Sequence, residues 1–171
     1  WEPDANWYSD RPADDGAIDG GAHFLKTGGS LERRDLAARG VPPTSDSVGG
    51  NVGRMAIVGG QAIVSAYGHG DSTLTAVRLH PAPVRGARAE FGEFERATAL
   101  DGAPNGALAV TVADGNPRLG GQTASLRLVE PPSAGPHDQK VVEFGRVALP
   151  FVDAAVIDER RGGGPTGIVV D

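Results

Sequence analysis

Short apolar runs separated by glycine and proline constrain this chain more than any other feature. Its 171 residues include 26 Gly and 13 Pro. From residue 54 onward, short apolar runs such as 55–58, 62–67 and 141–151, each containing Val, alternate with turn sequences. β-Branched residues such as Val fit a pleated strand better than a helix. The pattern predicts an all-β fold, an antiparallel sandwich or barrel of about seven or eight short strands.

One glycine-containing turn, at Asn105-Gly106, predicts a β-hairpin within this part of the chain. Asn105-Gly106 lies between two strand-like runs, and Gly59-Gly60 separates 55–58 from 62–67. Gly and Asn tolerate the positive φ angles that tight hairpin turns require. Beside these turns, apolar residues alternate with other residues in two sets, which is typical of strands; these are Leu108, Val110 and Val112, and Ala124, Leu126 and Leu128.

The amino-terminal region has a different composition and predicts a different structure. Residues 1–20 hold six acidic residues and one basic residue, Arg11, and they contain both tryptophans. We expect residues 1–29 to form an extended arm, followed by one short helix over about 31–39 with Ser30 as its N-cap. A linker rich in Pro and Gly then leads to residue 53. The predicted organisation is an acidic, aromatic-bearing arm over 1–53 and a β-domain over 54–171.

Three aromatic residues of the arm are candidates for an interface. Large aromatic side chains anchor interfaces because each buries a rigid surface at low entropic cost. We therefore expect Trp1, Trp7 and Tyr8 to dock on a neighbouring subunit or partner. The alternative is that the arm folds back over its own β-domain.

The hexapeptide 67–72 is the other candidate for an interface or a ligand site. Tyr67, His69 and Asp71 stand close together there, and His, Asp and the following Ser could form a metal site or a base–nucleophile pair. Adjacent side chains on a tight turn rarely converge, however, so a plain Gly-rich turn explains the same residues.

Acidic clusters raise two further hypotheses. The carboxylates of Asp10, Asp14, Asp15 and Asp19 are weak candidates for a calcium site, but they lack the usual spacing of a calcium loop. A solvated acidic arm is the simpler interpretation. Glu90, Glu93 and Glu95 could supply the two carboxylates of a glycosidase. Interspersed arginines favour a charge-balanced solvent face on a strand instead.

Composition excludes several classes of function. The chain has no Cys, which excludes disulfides, Cys-ligated zinc and thiol catalysis. A net charge of −6 without a basic stripe argues against a nucleic-acid partner. No apolar run has the length of a membrane span, and the Gly-rich stretches lack the Lys of a nucleotide-binding loop. No cofactor is expected.

These observations favour a non-catalytic structural or adhesive β-domain, a subunit or decoration protein of an extracellular or virion-like assembly. Its partners would be protein subunits of the same or a neighbouring kind, contacted through the arm. The first residue is Trp1 rather than Met, which fits removal of a leader or an initiator, or a processed fragment. An extracellular or virion-surface location is expected for such an assembly subunit. The alternatives are a secreted ligand-binding module, with a glycan as one candidate ligand, and a hydrolase that uses His69 and Asp71.

Overall fold

In a computed structural model the all-β prediction is confirmed. The structure describes residues 15–27, 29–38, 40–48, 54–68, 71–103, 105–115, 123–133 and 139–149. These ranges contain thirteen strands and no helix, more strands than we expected. It follows that no described helix is long and apolar enough to cross a bilayer. The strands are β1 (Asp15–Asp19), β2 (Ala22–Thr27), β3 (Ser30–Asp35), β4 (Thr44–Ser47), β5 (Met55–Val58), β6 (Gln61–Gly68), β7 (Asp71–Arg78), β8 (Val84–Glu90), β9 (Glu95–Gly102), β10 (Leu108–Asp114), β11 (Thr123–Val129), β12 (Gln139–Lys140) and β13 (Glu143–Ala148).

The strands form three sheets. The first sheet has the order β1-β2-β3-β4, the second β12-β8-β7-β6-β5, and the third β13-β11-β10-β9. Strands β8 and β12 are parallel, whereas all other described pairs are antiparallel. Most neighbours are consecutive in sequence, so short turns suffice to connect them.

The second sheet lies in the middle, with a hydrophobic core on each face. Ala62 and Val64 of β6 share one core with Phe24 and residues of the first sheet. Between them in sequence, Ile63 belongs to the other core, which contains residues of the third sheet. Successive side chains of a strand point to opposite faces, so both faces of β6 are covered. The layers form a β-sandwich-like fold, and the double coverage explains why β6 is a continuous apolar run rather than an alternating one.

Glycine residues form the turns of two hairpins. Gly59 and Gly60 adopt φ angles of 58° and 76° between β5 and β6, the conformation of a two-residue hairpin turn. At the other turn, Gly106 has a φ of 82° and its N–H donates to the carbonyl oxygen of Ala103 at 2.9 Å. The hairpin predicted at Asn105-Gly106 is confirmed, and the β5–β6 hairpin is a further finding.

The predicted helix over 31–39 is wrong. Residues 30–35 form β3, which pairs with β2 on one side and β4 on the other. Leu31 is fully buried in the core between the first and second sheets. A helix here would have had only a thin apolar face. Sheet pairing and the burial of Leu31 therefore outweigh the helix propensity of the sequence.

The prediction of an extended arm is wrong over residues 15–27. These residues form β1 and β2, joined by a turn in which Gly20 and Gly21 have φ angles of 53° and 75°. Ala22 and Phe24 are fully buried. Farther along, residues 44–47 of the expected linker form β4. One core cluster joins these elements to Met55 and so contains residues from both sides of the expected boundary at 53 and 54.

Candidate functional site

The site residues predicted from the sequence are only partly described. Trp1, Trp7, Tyr8, Asp10, Asp14 and His69 lie outside the described residues. Tyr67 stands opposite Ser72 at the β6–β7 hairpin, where Asp71 is paired with Gly68. The backbone thus brings residues 67 and 71 to the same turn. Their role as a ligand or hydrolase site stays a prediction.

Two of the candidate calcium ligands, Asp15 and Asp19, lie within β1, and the fold accounts for their positions. Asp15 stands opposite Lys26 in the β1–β2 pair. The Oδ2 atom of Asp19 lies 3.2 Å from Nε2 of His80, and the His80 ring packs edge-on against Phe24 with 5.8 Å between centroids. This contact attaches the β1–β2 turn to the end of β7. Within the described part of the chain, no group of three His, Cys, Asp or Glu residues is arranged to hold a metal ion.

A buried arginine organises the densest cluster of charges. Arg127 of β11 stands opposite Val110 of β10, a residue of the core between the second and third sheets. Directly opposed side chains lie on the same face of a sheet, so Arg127 faces this core and is only 3% exposed. A buried guanidinium is costly unless it is paired with charges and hydrogen-bond acceptors.

Two glutamates supply these charges. The Nη2 atom of Arg127 lies 2.6 Å from Oε1 of Glu95, and Nη1 lies 3.5 Å from Oε2 of Glu143. The Nε group donates to Oγ of Ser125 at 3.0 Å. Glu143 also accepts two hydrogen bonds of 2.7 Å from Nε and Nη2 of Arg146. These four charged residues, Glu95, Arg127, Glu143 and Arg146, are termed the Arg127 network.

The network connects the two outer strands of the third sheet. Glu95 begins β9, whereas Glu143 and Arg146 lie on β13 at the opposite end of the sheet order. Arg127, on β11, reaches both. The second oxygen of Glu95 accepts a 2.7 Å hydrogen bond from the N–H of Gly92. The network therefore fixes the position of β13 relative to the rest of the sheet.

The surroundings lower the pKa of both carboxyl groups. Burial alone would raise the pKa of Glu95, but the Arg127 guanidinium, the Gly92 N–H and the charge of Arg146 together outweigh it. For Glu143, the hydrogen bonds from Arg146 are the main cause, opposed by burial and supported by the positive charges of Arg146 and Arg127. Both groups are ionised at neutral pH, whereas a general acid requires a raised pKa.

The expectation that Glu93 and Glu95 lie together on a solvent-facing strand is wrong. The chain turns at residues 92–95, where the N–H of Glu95 donates to the Gly92 carbonyl oxygen at 3.1 Å. Phe94 has a φ of 62° in this turn. Glu90 remains on β8, 3.2 Å from Arg88 and 3.8 Å from Lys140. Glu90 and Glu95 thus have basic partners.

Exposed apolar side chains mark the outer side of the same region. Val142, Phe144 and Val147 are 53%, 53% and 63% exposed. They belong to residues 142–147, termed the β13 edge, because β13 is the terminal strand of the third sheet as far as the structure describes it. Leu128 pairs with Gly145 and Val129 with Glu143, so Phe144 is an extra residue, a β-bulge. Exposed apolar groups on a terminal strand are typical of interaction surfaces.

Sequence reasoning missed both the Arg127 network and the β13 edge. The alternation of Ala124, Leu126 and Leu128 suggested that their face of β11 packs on the core. In the structure, the opposite face, with Arg127 and Val129, faces the core. Arg127 is a lone arginine between two leucines, a pattern that does not by itself predict a buried ion pair. For the edge, the available signal was the mixture of large apolar and oppositely charged residues over 142–147.

Comparison of this chain with models of protein families, with curated proteins and with solved structures finds no match.

Proposed function

We propose that this chain is a non-catalytic structural or adhesive β-domain, a subunit or decoration protein of an extracellular or virion-like assembly. Its partners are protein subunits of the same or a neighbouring kind. The observation that carries the proposal is the β13 edge, where Phe144 and Val147 of a strand that is terminal in the described part of the sheet, and Val142 directly before it, are exposed. Such a strand offers backbone hydrogen-bonding groups and apolar contact area together.

The Arg127 network supports this proposal because it holds the edge in place. Glu143 and Arg146 of β13 are tied to each other at 2.7 Å, and Glu143 is tied to the buried Arg127. A surface that is ordered before binding loses less conformational freedom when a partner docks. The edge is thus suited to association between preformed subunits.

The state of the described carboxylates supports a non-catalytic role. Glu95 and Glu143 pair with arginines and have lowered pKa values. Glu90 pairs with Arg88 and Lys140. The lowered pKa values make Glu95 and Glu143 poorly suited to donate a proton near neutral pH.

The aromatic residues Trp1, Trp7 and Tyr8 are a second proposed contact with a neighbouring subunit. A deletion that tests this role has to stop at residue 14. Removal of residues 1–29 would also delete Ala22 and Phe24, which are fully buried, and would therefore damage the core.

The test is the absolute mass in solution, measured by light scattering on a sizing column. We expect a defined multimer for the full chain and a smaller species for a variant that lacks residues 1–14. The control is Val41→Ser, which removes an exposed apolar side chain from the segment between β3 and β4 and should leave the mass unchanged. A monomeric full chain at every concentration would overturn the proposal.

A further inference from the structure

We propose that two copies of this chain associate through antiparallel pairing of their β13 strands, around a two-fold axis between Phe144 and Gly145. This inference rests on the proposed function, because it names the partner as a second copy and the surface as the β13 edge. It is carried by the order of residues along 142–147, by their exposure and by the charges of Glu143 and Arg146.

The sequence of the β13 edge is complementary to itself when read in opposite directions. With the axis between Phe144 and Gly145, Val142 stands opposite Val147 of the second copy. Glu143 then stands opposite Arg146, and Phe144 opposite Gly145. Every position thus meets a residue of matching chemistry, which is the requirement for a two-fold symmetric interface.

The apolar pairs account for the exposed side chains. Val142 and Val147 are 53% and 63% exposed in the single chain, and in this register they cover each other across the two strands. Phe144, which is also exposed, lies against a glycine of the second copy. An aromatic ring can cover the backbone that a glycine leaves open, and such cross-strand contacts stabilise sheets.

The charges favour this register over two of the alternatives. Glu143 and Arg146 already form a pair within each chain, so the proposed axis brings two positive and two negative groups together in alternation. An axis through Arg146 would oppose two arginines, and an axis through Glu143 would oppose two glutamates. Like charges directly opposite each other destabilise a pair of strands.

The backbone of β13 is positioned for such pairing. On the β11 side, the carbonyl oxygen of Val142 accepts from the N–H of Glu130 at 2.9 Å, and the N–H of Leu149 donates to Ala124 at 2.9 Å. Both ends of the strand are therefore held on β11. Because alternate residues of a strand direct their backbone groups to opposite sides, the groups between these ends include a set that points away from β11. The bulge at Phe144 lies next to the two-fold axis in both copies.

The absence of Cys allows an unambiguous cross-linking test in the full chain. Two variants, Val142→Cys and Val147→Cys, are oxidised mildly, each alone and mixed in equal amounts. Opposed residues of antiparallel strands have Cα atoms about 5 Å apart, which suits a disulfide. Identical positions would lie about 16 Å apart across the axis, given the rise of a strand. We expect disulfide-linked dimers in the mixture and few for either variant alone.

A matched control uses Val84→Cys, an exposed position at the start of β8, mixed with Val147→Cys. This mixture should give only background cross-linking. A second variant, Val147→Lys, replaces an exposed side chain and should raise the dimer dissociation constant at least about tenfold without unfolding the chain. Cross-linking of Val142→Cys with itself, at the level of the mixture, would contradict the register.

Light scattering of the unmodified chain separates failure of this inference from failure of the proposed function. A monomer at all concentrations would overturn both. A defined multimer whose cysteine mixture cross-links no better than the single variants, and whose mass is unchanged by Val147→Lys, would overturn only the β13 pairing.

Discussion

The Nη2 atom of Arg127 lies 2.6 Å from Oε1 of Glu95, although their strands β11 and β9 are separated by β10. The pair thus crosses the middle of the third sheet on the face that packs against the second sheet. It explains how an arginine can occupy a position opposite the core residue Val110. A buried ion pair contributes little net stability, but loss of one partner is costly because the other remains without compensation.

Removal of the Arg127 guanidinium should therefore destabilise the whole domain. We expect Arg127→Met to lower the free energy of unfolding by about 3 kcal/mol, since Glu95 and Glu143 lose their shared cation. Urea unfolding at neutral pH measures the change. The control is Arg85→Met, an exposed residue of β8, which should alter stability by less than about 0.5 kcal/mol. Equal stability of Arg127→Met and the unmodified chain would show that the network does not contribute to the free energy of unfolding.

Stability should fall in acid through the same network. The folded-state pKa values of Glu95 and Glu143 lie below the ordinary glutamate value of 4.5. Their contribution is therefore complete above that value and is lost as pH falls through the lowered folded-state pKa values. The lowered pKa of His23, due to burial and the charge of Arg34, adds a loss that begins at higher pH.

The contribution of Glu95 can be isolated by comparison with Glu95→Gln. Below the ordinary glutamate pKa, the unfolding free energy of this variant should decrease less steeply with falling pH than that of the unmodified chain. Urea titrations at several pH values measure the slopes. Identical slopes for the two proteins would contradict the assigned role of Glu95.

Phe24 of the first sheet should contribute as much to the free energy of unfolding as a buried residue of the central sheet. Its side chain is fully buried between the first and second sheets. Truncation of a buried Phe costs about 3–5 kcal/mol, so Phe24→Ala should shift the single unfolding transition by that amount. The exposed Ile18 of the same sheet provides the control, Ile18→Ala, with little expected change. A loss confined to a separate, weaker transition would mean that the first sheet unfolds independently.

The stability cost of a substitution in the β5–β6 turn should depend only on how well the new residue tolerates the backbone conformation. Gly60 has a φ of 76°, and a Cβ atom there would meet nothing within 4 Å. We expect Gly60→Val to cost about 1–2 kcal/mol and Gly60→Asn to cost less, because Asn tolerates this conformation. Thermal unfolding of the two variants provides the comparison. Equal costs would indicate that the turn relaxes to another conformation.

Local chemistry explains which parts of the fold could be predicted from the sequence. The hairpin at Asn105-Gly106 depends on a few adjacent residues, so it could be predicted. The β1–β2 turn carries a similar signal at Gly20-Gly21, but its strands show little alternation, and Ile18 is exposed rather than buried. The first sheet could not be predicted from local sequence, because the burial of Phe24 and Leu31 depends on their packing against the second sheet.

The candidate site was less predictable because it depends on contacts between distant residues. Glu95, Arg127 and Glu143 are far apart in sequence and meet only when β9, β11 and β13 join one sheet. An isolated arginine in a strand normally predicts a solvent-facing position. Burial of Arg127 requires two carboxylates at once, and no local pattern specifies that coincidence.

The central claim is that this chain is an assembly subunit, and its mass in solution tests it most directly. Light scattering on a sizing column, over a range of concentrations, should give a defined multiple of the mass of one chain. The mass of Val147→Lys should move toward that of a single chain under the same conditions. A single-chain mass for the unmodified protein at every concentration would contradict the account.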